Sequence, residues 1–519
     1  MKKILFLFLS LVFLVACGQN KEKKIVIENT AKYKKNELNI SGRFSDKNDY
    51  SKLKEVFQTF INDSVFYNSS ISFYFTDIDS GKSVISYNPN LSLVPASSLK
   101  LLTTASALEI LGKNKQFVTT IEYDGKIDVK TKTLNGNIYI SGGGDPALGS
   151  RAYRRRYYKP DFLLQWVDAI RNKGIEKING NIIADAQIFD TEIVPTSWTW
   201  EDIASYYGTA ASGLSIYENK FTLNFDPSVK GEYLVDSNKT IPYIPELKII
   251  SKIRLVDNDF YLDILGQYYS NHRVIHGVVG KKNEELEIEA SIPDPPYIAA
   301  FSLWQKLKEA RLEVKGEATS IRRLKLKGEK VNLQKRQFIW ETKSPPLLSL
   351  IFRTNMNSNN LYAEHFVKHI ALKTKNYDGI DSGSVAEIEF WKAKGIDVRG
   401  MKIFDGCGIS RKNKVTVRQL ADICVYMKNK SSAFNEFYRS LPQSGNSGTL
   451  SSFCRNTTAS AKVKAKSGSM GGVRSYAGYI KTNSQKQFAF SIIINNYDCP
   501  SYVVKKKIEK LMIAVVEEM

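Results

Sequence analysis

The chain has 519 residues, with 74 Lys and Arg against 53 Asp and Glu and a formal net charge of +21. That length supplies enough core for several domains, and the charge points to an anionic neighbour. Cys407, Cys424, Cys454 and Cys499 show no CxxC spacing, which argues against a zinc site and gives no firm disulfide pattern, although an exported protein has the means to oxidise a pair.

The first residues set the compartment. A short basic head, Met1-Lys2-Lys3, leads into the apolar run ILFLFLSLVFLVA, which is too short for a comfortable membrane span, and Leu14-Val15-Ala16-Cys17 closes it with small residues and a cysteine. This is the pattern of a bacterial export signal, and its end resembles a lipobox, in which Cys17 is lipidated and becomes the mature N-terminus; ordinary signal cleavage beside an incidental cysteine is the alternative. Residues 1–16 are then a signal peptide and 17–36 a polar tether. Export excludes nucleic acid as the anionic neighbour and favours the cell wall or a membrane surface. No later run reaches the roughly 18 apolar residues of a spanning helix.

Along the chain, YSKLKEVFQTFIND repeats apolar residues at helical spacing, and ISFYFTDIDSGKSVISYN places two strand-like runs around Asp-Ser-Gly-Lys as a hairpin. A helix begins near Ser97. From about 116 the texture turns strand-rich, through FVTTIEYDGKIDVKTKTLNGNIYISGGGDPAL, with PDFLLQWVDAIRNKG as a helix stopped by Gly174. Short strands fill 218–292, YIAAFSLWQKLKEARL is a helix, and helices dominate after about 340. SAKVKAKSG, RSYAGYIKT and KQFAFSIIINNY supply late strands before a final helix in VVKKKIEKLMIAVVEE. The two ends therefore make one α+β unit, residues 37–115 and 335–519, split by a β-rich insert at 116–334.

Ser97 and Lys100, in PASSLKL, are neighbours at i and i+3. A lysine can take the serine proton only when its own pKa falls from about 10.4, which burial achieves, and Leu99, Leu101 and Leu102 supply an apolar setting. SxxK alone is weak, since Ser51-Lys52-Leu53-Lys54 repeats it on what reads as a solvated helix face. Ser358-Asn359-Asn360 at a helix start and Lys466-Ser467-Gly468 opening a strand complete an ordered set. Ser86-Tyr87-Asn88 lies ahead of Ser97, and Ser444-Gly445-Asn446 lies too close to Lys466 for intervening helices, so Ser358 is the better candidate.

The order SxxK, SxN, K[ST]G resembles the penicillin-recognising serine enzymes. DGCGISRKNKVT, LPQSGNSGTL, AKSGSMGGVRSYAGYI, GGGDPAL, SWTWEDIASYYG and the long insert are similar to the large-insert D-Ala-D-Ala carboxypeptidase/endopeptidase family, often called penicillin-binding protein 4-like. The resemblance covers nearly all of the mature chain. It departs mildly at Asn359, where the family has Asp, and at Ser467, where it has Thr. It implies a transpeptidase-like domain, an antiparallel sheet flanked by helices, with the insert forming two β-rich subdomains. It implies that Ser97 attacks the penultimate D-Ala carbonyl while Lys100 takes its proton, that Ser358 relays a proton to the leaving amine, and that Lys466 sets the local field. Asn360 would bind a substrate amide, Ser467 and Gly468 would line the terminal carboxylate, and the N–H groups of Ser97 and Ser469 would form the oxyanion hole. A specificity pocket of Asp202, Tyr207, Arg411 and Met470 would surround a diaminopimelate side chain, with carboxylate meeting amine and Arg meeting carboxylate. The implied partners are peptidoglycan stem peptides, β-lactams as covalent inhibitors and a membrane held through the Cys17 lipid, with the enzyme facing the periplasm; no metal or other cofactor and no nucleic acid is implied.

Other readings carry less. His365 and His369 share a helix face, but position 366 is Phe, so HExxH is missing. No GxSxG elbow supports a Ser-His-Asp hydrolase. A β-lactamase shares the Ser–Lys pair but needs an added base for fast deacylation, and a wall-binding lipoprotein with a dead site would not keep all the reactive groups.

Overall fold

ISFYFTD and QFAFSIIIN each alternate side chains between two faces, and both faces are buried. Ile71, Phe73, Phe75, Phe490, Ile492 and Ile494 pack into one core, while Tyr74, Ala489 and Ile493 enter another. A sheet with two apolar faces needs a helical layer on each. On one side lie the helices Ser51–Ile61 and Ser501–Glu518, bringing Leu53, Phe57, Ile508, Leu511 and Val515; on the other, Lys100–Leu111 and Val417–Lys430 bring Leu101, Leu420 and Ile423.

The computed structural model describes residues 38–40, 51–159, 161–225, 240–280, 286–331, 336–375 and 380–519, so the leader, Cys17 and the tether lie outside the described residues. The main sheet is antiparallel throughout. Its order is Asn39–Ile40, Ser83–Tyr87, Ser70–Asp77, Gln487–Asn495, Val473–Lys481 and Val463–Met470. Strands from both ends of the chain thus lie side by side, as the α+β reading of the terminal regions requires. Among the described residues no helix is long and apolar enough to cross a membrane.

The intervening segment builds four smaller sheets. Five strands order as Ala318–Ser320, Ile182–Asp185, Ile138–Ser141, Val118–Tyr123 and Gln337–Lys343; four short strands, three strands within 248–280, and the pair Lys220–Phe225 with Leu286–Ser291 make up the others. Gln337–Lys343 pairs antiparallel with Val118–Tyr123 and so adds a strand to this sheet, not to the main one. The chain returns to the catalytic unit at Ser344, whose hydroxyl accepts from Phe117 N–H at 2.9 Å, so the two crossing strands leave side by side.

Trp166, on the helix Phe162–Asn172, is fully buried against this sheet and donates through Nε1 to Thr342 at 2.8 Å. Trp166→Ala removes the ring and leaves that hydroxyl without its donor, at a cost of about 3–5 kcal/mol. Urea unfolding should show that loss, while the far-ultraviolet circular dichroism of the folded variant stays unchanged.

Candidate active site

The nucleophile turn is not the first turn of an α-helix. Ala96–Leu99 form a 3₁₀ turn, entered through Ala96 at a left-handed φ of +47°, and Lys100 starts the α-helix Lys100–Leu111. Side chains at i and i+3 eclipse in a 3₁₀ turn, which brings Lys100 Nζ to 2.9 Å from Ser97 Oγ. Ser97 is half-buried and Lys100 has no exposed surface. Burial lowers the Lys100 pKa; Cys407, Asp405 and Glu364 act the other way with less effect. Between that lowered value and the ordinary one near 10.4 the native state binds fewer protons than the unfolded chain. The buried amine therefore costs stability as pH falls through that window, while the native state already holds the free amine a base requires throughout it.

The strand Val463–Met470 meets this turn directly. The Lys-Ser-Gly motif sits in mid-strand, not at its opening, with Lys466 paired to Ala477. A Cβ on Gly468 would stand 2.6 Å from the Pro95 carbonyl oxygen and 2.7 Å from Ser98 N, so only glycine allows this approach. Lys466 is buried and donates to Ser358 Oγ at 3.0 Å and to the Ser467 carbonyl at 2.7 Å. Burial first, and Lys100 second, lower its pKa far below the ordinary range.

Ser358 caps the helix Leu347–Asn357 in a left-handed conformation, φ +56°, at the break before the helix Asn360–Lys375. The helix-capping hydrogen bond falls to Asn359, whose Oδ1 accepts from Tyr362 N–H at 3.1 Å, a task that Asn performs as well as Asp. Ser358 is left to face Lys466. Asn360 Nδ2 donates to the Tyr207 carbonyl at 2.8 Å, and its buried Oδ1 has no protein partner.

The remaining predicted residues are partly assembled. Ser467 Oγ donates to Thr449 Oγ1 at 2.8 Å, and Ser469 is exposed. Arg411 is exposed and donates to the carbonyl of Gly471, next to Met470, at 3.2 Å. Asp202 and Arg411 form no ion pair with each other. Asp202 instead accepts from the Thr199 hydroxyl at 2.6 Å in a capping box, and it adds to the burial that pushes the Tyr207 phenol up to about 12.

Spacing did not reveal what holds Lys100. Its amine also donates to the Cys407 carbonyl at 2.6 Å. That carbonyl belongs to the loop DGCGISRKN, which is organised by buried Asp405: its two oxygens accept from Gly408 N–H, Ser410 N–H, Asn413 Nδ2 and Trp198 Nε1 at 2.6–2.9 Å. Glu364, one turn beyond Asn360, accepts from Gly406 and Cys407 N–H at 2.9 and 2.7 Å. Glu364, Asp405 and the Cys407 thiol put three donor atoms within 4.8 Å of one another. Asp405 is already saturated, and burial raises Glu364 to about 8 and Cys407 well above its ordinary value, so the cluster serves as a loop clamp. Gly408, at φ +87°, has no room for a Cβ, which would lie 2.1 Å from the Ala96 carbonyl oxygen. The Cys407, Cys424, Cys454 and Cys499 thiols are free.

His365 and His369 are packing residues. His369 Nε2 lies 2.9 Å from the Gly144 carbonyl and its ring stacks on Phe117, while His365 bonds Ser215 and the Leu361 carbonyl. Burial lowers them to about 4 and about 3.

An antiparallel sheet between helical layers, with a buried lysine against an accessible serine at its edge, defines a serine hydrolase of the penicillin-recognising fold. The family model "D-Ala-D-Ala carboxypeptidase 3 (S13) family" matches residues 53–519, and the chain belongs to that family, as a serine-type D-Ala-D-Ala carboxypeptidase. It is 26% identical over 469 residues to the D-alanyl-D-alanine carboxypeptidase of Actinomadura sp. (strain R39), covering 87% of this chain and 82% of that one. It is 23% identical to D-alanyl-D-alanine carboxypeptidase DacB of Haemophilus influenzae, covering 85% and 88%. The crystal structure of penicillin binding protein 4 from H. influenzae superposes with a TM-score of 0.75 at 20% identity, over 90% of this chain and 99% of that chain.

Asp405→Asn keeps the volume but turns two of the four incoming donors against an amide N–H₂. Each buried donor left unpaired costs about 1–3 kcal/mol, so unfolding free energy should drop by at least about 2 kcal/mol. Penicillin acylation should slow as well, once the Cys407 carbonyl is no longer fixed on Lys100.

Proposed function

We propose that the chain hydrolyses peptidoglycan stem peptides through an acyl-enzyme on Ser97. One observation carries this: a fully buried lysine of lowered pKa donates at 2.9 Å to an accessible serine. Neutral Lys100 takes the Oγ proton as Oγ bonds to the penultimate D-Ala carbonyl carbon. The C–N bond then breaks, and the proton Lys100 took passes through Ser358, which Lys466 holds by a hydrogen bond, to the leaving amine, so that Lys100 is neutral again. Water attacks the ester, gives its proton to Lys100 and restores Ser97. The N–H groups of Ser97 and Ser469 stabilise the oxyanion, Asn360 orients a substrate amide, and Ser467 with Gly468 receives the terminal carboxylate. Cutting a cross-link is the same reaction with a larger leaving amine, so endopeptidase activity belongs to this proposal. A β-lactam meets the same nucleophile and stays as an ester. Cys17 carries the lipid anchor that tethers the enzyme to a membrane, facing the periplasm, and the whole insert 116–334 forms two subdomains beside the site.

Ser97→Ala should abolish penicillin labelling and D-Ala release with the fold intact. Lys100→Arg, held protonated by its guanidinium, should lower acylation at least about a hundredfold, whereas wild-type acylation should rise with pH and level off below the ordinary lysine value near 10.4. Label retained on another serine, or near-normal acylation in the Arg variant, would overturn the assignment.

The diaminopimelate pocket of Asp202, Tyr207, Arg411 and Met470 is supported by two observations: among the described residues Arg411 has no carboxylate partner, and Asn360 ties the Tyr207 backbone to the Ser-Asn-Asn motif. A charge-assisted hydrogen bond contributes about 1.5–3 kcal/mol, so stems with diaminopimelate should be preferred over stems with lysine by about tenfold to a hundredfold in kcat/KM. Arg411→Ala should erase that preference and spare a plain acyl-D-Ala-D-Ala peptide. Equal damage on all three substrates would make Arg411 structural.

A further inference from the structure

Residues 150–159 read SRAYRRRYYK, and all five cations in this stretch, Arg151, Arg154, Arg155, Arg156 and Lys159, are exposed. Among the described residues none of them forms a side-chain hydrogen bond or an ion pair. The nearby acids are used elsewhere: Asp161 by Lys306 at 3.0 Å, Glu218 by Arg353 at 3.1 Å, and Asp145 by the Tyr158 hydroxyl at 2.9 Å.

The segment is nonetheless fixed in place. Tyr153 and Tyr158 are buried, and the Tyr153 hydroxyl donates to the Ser349 carbonyl at 3.0 Å. Tyr157 OH lies 3.0 Å from Ser349 Oγ. The turn closes by Arg155 N–H on the Tyr158 carbonyl at 2.8 Å, with Arg155 at a left-handed φ of +66°. Three tyrosines therefore hold a loop whose arginines are exposed, Arg156 over the Tyr157 ring at 5.4 Å, and among the described residues no acid pairs with them. Such a surface is complementary to a polyanion. Its anchor, Ser349, lies on the helix that ends at Ser358, about 14 Å along the axis from the catalytic cleft at 1.5 Å per residue.

We infer that this loop is a docking surface for the polyanionic wall itself, gripping free carboxylates of peptidoglycan stems neighbouring the one being cut. The inference rests on the proposed peptidoglycan substrate. Uncut stems carry more carboxylates than amines and recur along every glycan strand, so a surface close to the cleft finds them wherever the enzyme works. The loop would keep the enzyme on polymeric substrate and contribute nothing to a short soluble peptide.

The test compares Arg154→Gln/Arg155→Gln/Arg156→Gln with the parent, both carrying Ser97→Ala so that the wall is not consumed, in sedimentation with purified diaminopimelate-type sacculi across a salt series. The triple variant should bind at least about tenfold more weakly, with a flatter salt dependence, and a triple Arg→Lys variant should bind like the parent. With Ser97 restored, turnover of acyl-D-Ala-D-Ala peptide should match the parent. Unchanged sacculus binding overturns the inference. So does loss of binding to phosphatidylglycerol vesicles with sacculus binding intact, which would assign the loop to a membrane. Equal loss of short-peptide turnover would place the loop in the catalytic machinery or the fold. If the parent itself fails to release D-Ala from the short peptide, the functional proposal falls, while the sedimentation result still reports on the loop.

Discussion

The chemistry of this enzyme depends on an amine kept out of water. Lys100 has no exposed surface, and its two recorded partners, the Ser97 hydroxyl and the Cys407 carbonyl, can both accept from a neutral amine. Desolvation outweighs the acids behind it, and burial also holds Glu364 largely protonated near neutral pH, so that this nearby carboxyl does not restore the charge. Much of the surrounding architecture excludes water from that one nitrogen without crowding the serine: the eclipsed 3₁₀ turn, the glycine-only approach of the Lys466 strand, and the loop clamped by Asp405.

The helix Asn360–Lys375 joins the insert to this centre. Its first residue bonds the Tyr207 backbone, His365 and His369 pack against the Ser215 and Gly144 regions, and buried Lys368 pairs with Asp190. The same helix carries Glu364, which holds the Cys407 loop. The Tyr207 segment of the insert and the loop whose carbonyl meets Lys100 are thus both held by one helix, whose geometry fixes their spacing.

Local chemistry made the site legible in the sequence. Ser97 with Lys100, and Lys466 with Ser467 and Gly468, are short motifs whose members are neighbours in the chain, so their order along it, with Ser358 between, singled them out where SxxK alone did not, and the alternating apolar runs placed the strands of the main sheet. Tertiary partners left no such trace. The Cys407 carbonyl is backbone and has no side-chain signature; Asp405 acts on a loop that loops back on itself; Glu364 carried only the weak cue of lying one turn after Asn360. The partner of Gln337–Lys343, Val118–Tyr123, is more than two hundred residues earlier, and the sheet to which a strand belongs is set by pairing, not by its own residues. Asp202 bonds Thr199 three residues away and Arg411 bonds the Gly471 carbonyl 60 residues on, so the two do not meet each other.

The Asn495 side chain clasps the backbone of Val94, accepting from its N–H at 2.8 Å and donating to its carbonyl at 3.0 Å across 401 residues of sequence. That clasp steadies the approach to Pro95 and the nucleophile turn. A chain that is only partly synthesised, or partly threaded through a pore, therefore holds the serine and the lysine but not the site. Contacts so distant in sequence carry a larger loop-closure cost than local helix turns, so the nucleophile turn is steadied only in a chain that includes its C-terminal strand.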